Sequence, residues 1–212
     1  MKIINGFEFL LFSELAPLEK ETYYKKCYDF VQKLNLEYPC FETWFRGLFG
    51  EIPVLKSGRE ILMCRTHEQI VGIAILKNTL EEQKICTLRV DKKFQRMSIG
   101  KNLMELSFEW LKNDKPLITI HRSKRNEFQK LFQYYDFRLE EQKWSYYRLF
   151  RTELVFNGVL PPKKILLSKF EIADMRESIK EFMKYNIYDK DLLIQYTVDL
   201  WKKQNGFLSV SE

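Results

Sequence analysis

Between Cys86 and Trp110 the spacing of apolar residues changes period, and that change constrains the fold more than any other feature of the chain. In "QKICTLRVD" Cys86, Leu88 and Val90 alternate with Thr87 and Arg89, the two-residue period of a strand with unlike faces. In "SIGKNLMELSFEWLKN" Ile99, Leu103, Leu106 and Trp110 recur at helical spacing, with Lys101, Asn102, Glu105, Glu109 and Lys112 opposite. A polar turn, "DKKFQRMS", joins strand to helix, and Gly100 is the segment's one glycine.

The flanking sequence extends this unit on both sides. "FEFLLF" (7–12) predicts a strand, and Pro17 then opens an amphipathic helix through Tyr24, Cys27, Tyr28, Val31 and Leu34. "CFETWFRGLFG" predicts a second helix stopped at Gly50. "REILMCRT" and the almost continuously apolar "EQIVGIAILKN" predict two strands, the second buried on both faces. After the central helix come the strand "KPLITIHR", the helix "NEFQKLFQYY" and a final strand pair in "FRLEEQKWSYYRLFRTELVF", with a turn near Glu140–Lys143. An antiparallel meander therefore leads into a strand–helix–strand crossover. The predicted domain is residues 1–157. "VLPPKK" resembles a linker, and 158–212 predicts a C-terminal extension of two amphipathic helices, one on Ile172, Met175, Ile179 and Phe182, the other on Leu192, Leu193, Tyr196 and Leu200.

Several function classes fall away on composition. Cys27, Cys40, Cys64 and Cys86 form no CxxC pair and are read as reduced core thiols, and no metal site is predicted. "HEQIV" lacks the second histidine of a zinc helix, and His67 falls in a predicted turn. No stretch approaches the ~20 apolar residues of a membrane span, and the first residues lack the cleavage pattern of a signal peptide, so a cytoplasmic protein without a membrane partner is expected. The net charge of +6 raises nucleic acid, as does the basic and aromatic mixture "WSYYRLFR", but alternation along a strand accounts for that mixture.

The turn suits a phosphate. The first amides of a helix have no intrahelical acceptor and carry the positive end of its dipole. Lys92, Lys93, Arg96 and Lys101 add charge, Ser98 is placed to cap the helix or donate to a phosphate oxygen, and Gly100 lets a ligand approach the backbone. The turn has neither the ending of a P-loop nor the glycines of a dinucleotide fingerprint.

The segment resembles the acetyl-CoA-binding element of the GNAT N-acetyltransferase superfamily, written L-x-V-x-x-x-x-Q/R-x-x-G-x-G/A. Leu88 and Val90 match its strand, Gln95 the Q/R position and Gly100 the last glycine, while Ser98 replaces the first. The "V-G" step of Val71–Gly72, the strand "PLITIHR" and the helix end "LFQYYDFRL" also match in order, so the resemblance covers about residues 7–156. It implies a mixed α/β fold with a mostly antiparallel central sheet, flanking helices and a splayed parallel strand pair. It further implies acetyl-CoA as cofactor, with Leu88, Arg89 and Val90 lining the pantetheine arm and the amides of Gln95, Arg96, Met97, Ser98, Ile99, Gly100 and Lys101 holding the pyrophosphate. The partner would be an amine acceptor bound between the N-terminal helices and the final hairpin. A homodimer would fit the family's habit.

The reaction would be direct attack of a primary amine on the thioester, with a base, an oxyanion donor and an acid for the leaving thiolate. The family's acid, a tyrosine, falls on Phe132, so Tyr134 and Tyr135 are the candidate replacements, and His121 at the end of its strand is the candidate base. Glu81 and Glu82, in a predicted hairpin, are expected to face solvent. The alternative reading is a weakly active or inactive GNAT-like module that binds CoA or a protein partner.

Overall fold

The computed structural model describes residues 1–36, 38, 41–144, 146–147 and 151–160. Cys40, the two C-terminal helices and the whole of 161–212 lie outside the described residues. The chain forms β1 (Lys2–Ile4), β2 (Phe7–Leu11), α1 (Pro17–Val31), α2 (Phe41–Arg46), β3 (Phe49–Glu51), β4 (Val54–Leu55), β5 (Arg59–Thr66), β6 (Gln69–Asn78), β7 (Gln83–Val90), α3 (Ile99–Leu111), β8 (Leu117–His121), α4 (Arg125–Tyr134), β9 (Leu139–Trp144) and β10 (Thr152–Phe156). Eight strands make one sheet in the order β1-β2-β5-β6-β7-β8-β10-β9, and β3 pairs with β4 separately. Among the described residues only β7 and β8 pair in parallel.

Helices cover both faces. On one, α3 and α4 pack over Phe9, Leu62, Ala74, Leu76, Ile85, Ile118 and Leu154. On the other, α1 and α2 pack over Ile61, Met63, Ile73 and Ile75 through Cys27, Val31 and Phe45. This is why β5 and β6 read as continuous apolar runs. Pro17 opens α1, and the Glu19 carboxylate accepts from the Ala16 N–H at 3.2 Å. The helix α3 sits close to β6 because residue 72 is glycine: a Cβ there would stand 2.8 Å from Ile99 Cγ2 and 3.1 Å from Leu103 Cδ1.

Four expectations change. The second helix ends at Arg46 rather than Gly50, because Leu48 and Phe49 are drawn into the core, where the Phe49 ring meets Tyr24 at 5.0 Å. Glu140–Lys143 is no turn but the body of β9, an edge strand whose charges block further pairing. Tyr146 and Tyr147 accordingly fall in the connection between β9 and β10, not on an alternating strand. The buried stripe of α3 is rotated, running through Ile99, Leu103, Met104, Ser107 and Leu111, and Asn102 lies inside rather than opposite. Finally, Cys86 does not share a face with Leu88 and Val90. A bulge sets Leu76 opposite Ile85 but Ile75 opposite Thr87, so one extra residue shifts the alternation there. Ile85, Leu88 and Val90 meet the α3 side and Cys86 the α1 side.

Gly72→Ala should destabilise the fold by about 2 kcal/mol through overpacking against α3, read as a lower urea midpoint at unchanged slope.

Candidate active site

Two registered pairs, Lys84 with Leu117 and Ile85 with Ile118, are all that joins β7 to β8. Beyond them β7 continues to Val90 along β6, and β8 continues to His121 along β10. The sheet therefore forks. The inner edge of Cys86–Val90 faces the inner edge of Thr119–His121 with no ladder between, and the bulge at Cys86 stands at the apex.

The open end of the fork leads into the loop before α3. Asp91 anchors it twice: its N–H donates to Val71 O at 2.8 Å, and its Oδ1 accepts the Lys93 N–H at 2.8 Å. Phe94 packs edge-on against Phe7 with ring centroids 6.2 Å apart. Gln95, Arg96, Met97 and Ser98 are exposed, and Ile99 is buried. The Asn102 N–H closes the first helical bond, on Ser98 O at 2.9 Å, and among the described residues the amides of Met97 to Lys101 donate to nothing. Ser98 makes no side-chain cap and holds a left-handed backbone with φ 61°, as Arg96 does with φ 64°. Glycine's usual place in the family pattern is thus kept in conformation, though not in residue. At Gly100 a Cβ would meet only Val90 Cγ2, at 3.7 Å, so packing inside the protein does not require glycine there.

The candidate proton-transfer groups divide into two sets. His121 ends β8, and its Nδ1 accepts the Ser123 N–H at 3.2 Å and lies 2.7 Å from Ser123 Oγ. The neutral imidazole assigned from these contacts carries its proton on Nε2. Tyr134 and Tyr135, the candidate acids, stand against the first two turns of α3. Lys101 Nζ donates to the Tyr134 hydroxyl at 3.0 Å, and the Tyr135 hydroxyl donates to Glu105 Oε1 at 3.1 Å. Burial, with Glu105 beside it, raises the Tyr135 pKa. Phe132 is core, its ring 4.5 Å from Phe156 and 5.2 Å from Phe137. Leu88 and Val90 pack towards the α3 side, whereas the Arg89 guanidinium lies 6.0 Å from the Phe30 ring on α1.

Sequence reasoning missed a polar group at the apex. Glu82 is not a solvent-facing hairpin residue: its carboxylate holds Lys77 Nζ at 2.6 Å and Lys84 Nζ at 3.7 Å. Lys84, 7% exposed, also donates to the Tyr147 hydroxyl at 3.1 Å. The signal was a lysine and a glutamate flanking the start of a central strand.

Known proteins share this fold. Residues 48–145, a little under half of the chain, match the family model for the acetyltransferase (GNAT) domain. A GNAT family acetyltransferase from Elizabethkingia anophelis with acetyl-CoA bound aligns at 15% identity and a TM-score of 0.50, covering 74% of this chain and 100% of that one. The ribosomal-protein-S18-alanine N-acetyltransferase from Escherichia coli aligns at 15% and 0.50, covering 75% and 100%. Nourseothricin acetyltransferase aligns at 11% and 0.43, and the chain spans 66% of its length. No curated protein matches the chain. At these identities the structures establish the fold alone, and it is the fold to which the family match over residues 48–145 points as well.

Ser98→Gly should relieve the left-handed strain and stabilise the protein by about 1 kcal/mol, seen as a higher urea midpoint.

Proposed function

We propose that the protein is an acetyl-CoA-dependent N-acetyltransferase that acetylates a primary amine of a small molecule, peptide or protein by direct attack of the amine. The fork between β7 and β8, opening onto undonated amides at the start of α3, carries this reading. The residues present fit the cofactor. The amides from Gln95 to Lys101 would hold the pyrophosphate among Lys92, Lys93, Arg96 and Lys101, with open space at Gly100 for close approach. Leu88, Arg89 and Val90 would line the pantetheine arm through their free inner edge. Bound there, acetyl-CoA would supply the acetyl thioester.

The thiols favour direct attack over an acyl-enzyme. Burial raises Cys27 and Cys86 and pushes Cys64 up to about 12, so none of these three offers a thiolate at neutral pH. The amine nitrogen would bond to the carbonyl carbon, the C–S bond would break, and one proton would leave the amine while one returns to the thiolate. His121 is the first candidate for that exchange, since it ends β8 on the parted edge and Ser123 orients its ring through Nδ1. Tyr134, exposed beside Lys101, is the second. Tyr135 is the poorer donor because Glu105 takes its proton and its pKa is raised. The buried Phe132 favours the second reading, a CoA-binding module with little or no turnover.

Isothermal titration with acetyl-CoA should show micromolar binding that Gly100→Glu weakens by about a hundredfold, since the new carboxylate occupies the phosphate position. No binding by the parent chain would refute the cofactor site. Binding without CoA release on any primary amine would select the second reading.

A further inference from the structure

The apex of the fork carries a row of three cations on the α1 face. Arg59, Lys77 and Lys84 lie side by side on β5, β6 and β7: Arg59 is registered with Lys77, and Lys77 with Lys84. Directly opposed antiparallel residues project from the same face, and Arg59 and Lys77 are each two residues from Ile61 and Ile75, which pack on that side. The bulge residue Cys86 is among them, its Sγ 3.9 Å from Arg59 Nη1.

The charges in this row do not balance. Glu82 is the only described carboxylate within 4 Å of Lys77 or Lys84, and none comes within 4 Å of Arg59. Burial raises the Cys86 thiol, which therefore adds no negative charge at pH 7. Three cations against one anion leave two positive charges in a partly desolvated place, and Lys84 is more than nine-tenths buried. An unbalanced buried cation is costly unless an anion joins it.

In the transferase reading this place is the acceptor side. Tyr147, from the connection between β9 and β10, holds Lys84 at 3.1 Å and meets Tyr38, between α1 and α2, with ring centroids 5.6 Å apart. The row thus lies between the N-terminal helices and the final hairpin, beside the end of the parallel pairing where the thioester would stand.

We propose that the acceptor amine carries a carboxylate, which Arg59 and Lys84 bind while the amine reaches into the fork. The substrate class is therefore amino acids and carboxylate-bearing amines of similar size, and not polyamines. This rests on the transferase reading above and narrows it. Arg59 supplies a planar pair of donors for a carboxylate, and Lys84 supplies a fixed point charge that Tyr147 aims.

The test uses the whole chain, saturating acetyl-CoA and release of the CoA thiol. Matched acceptors are phenylalanine with phenethylamine, leucine with isoamylamine, and lysine with cadaverine, with spermidine as the polycation. Each amino acid should exceed its decarboxylated partner at least about tenfold in kcat/KM. Arg59→Gln should remove most of that preference while the acetyl-CoA titration is unchanged, and Lys84→Met should do the same in a second position. As a readout independent of turnover, N-acetylphenylalanine should bind the CoA-loaded protein more tightly than N-acetylphenethylamine, and Arg59→Gln should erase the difference. Equal or faster turnover of the decarboxylated amines or spermidine overturns the proposal, as does equal binding of the two acetylated products, whether or not any amine is turned over. Acetyl-CoA binding by the parent keeps either failure separate from failure of the transferase reading.

Discussion

The short parallel ladder between β7 and β8 is the constraint on which the rest of the site depends. Two pairs form and then each strand follows its other neighbour, β7 with β6 and β8 with β10. The bulge at Cys86 adds one residue to β7 and increases its local twist, which turns it from β8 where the pairing ends. On the far side, Ile99 and Leu103 settle onto Gly72 and hold α3 against β6, so the end of β7 is carried with β6. Backbone groups on the parted edges need partners. An extended amide-bearing arm between the edges would satisfy that need, which would join the gap and the phosphate loop into one site.

The same bulge distributes chemistry between the two faces. Before it, Lys84 and Ile85 alternate normally; after it, Leu88 and Val90 return to the α3 side with Ile85, and the extra position leaves Cys86 facing α1. One face of the fork is thus lined by apolar β7 side chains beneath α3. The other carries Arg59, Lys77, Lys84 and Glu82 beneath the N-terminal helices and the final connection. In the proposed reaction a cofactor and an acceptor approaching from opposite faces would meet at the apex without competing for the same side chains.

Legibility in the sequence followed the strength of local pattern. The strand β7, the helix α3 and the turn between them were readable because period two gives way to period 3.6 within a few residues, and β5 and β6 because both faces are buried. The splayed strand pair was implied only by the family resemblance that these elements carry in their order. A bulge leaves no mark on alternation that a single sequence can show, so Cys86 was placed on the wrong face. The charged edge strand β9 looked like a turn because edge protection and turn formation use the same polar residues. The tyrosine positions were legible as helix residues, but which way they faced depended on Phe132 being taken into the core between Phe137 and Phe156. The apical row was not legible as a whole because Arg59 joins Lys77 and Lys84 only through the register of β5 with β6.

The basic balance of the chain acquires a physical place in this arrangement. A polyanion-binding surface needs its cations exposed and contiguous. Lys84 is 7% exposed, and Arg59 and Lys77 are half-buried, so these three charges cannot meet a nucleic-acid backbone. Lys92, Lys93 and Arg96 are exposed, but they surround a loop whose undonated amides and helix dipole already favour a compact anion over an extended one. Positive charge therefore stands at both ends of one fork, the open end and the apex. A phosphorylated ligand at the first and a small carboxylate at the second would use that charge, with the Glu82 carboxylate bridging Lys77 and Lys84 at the apex.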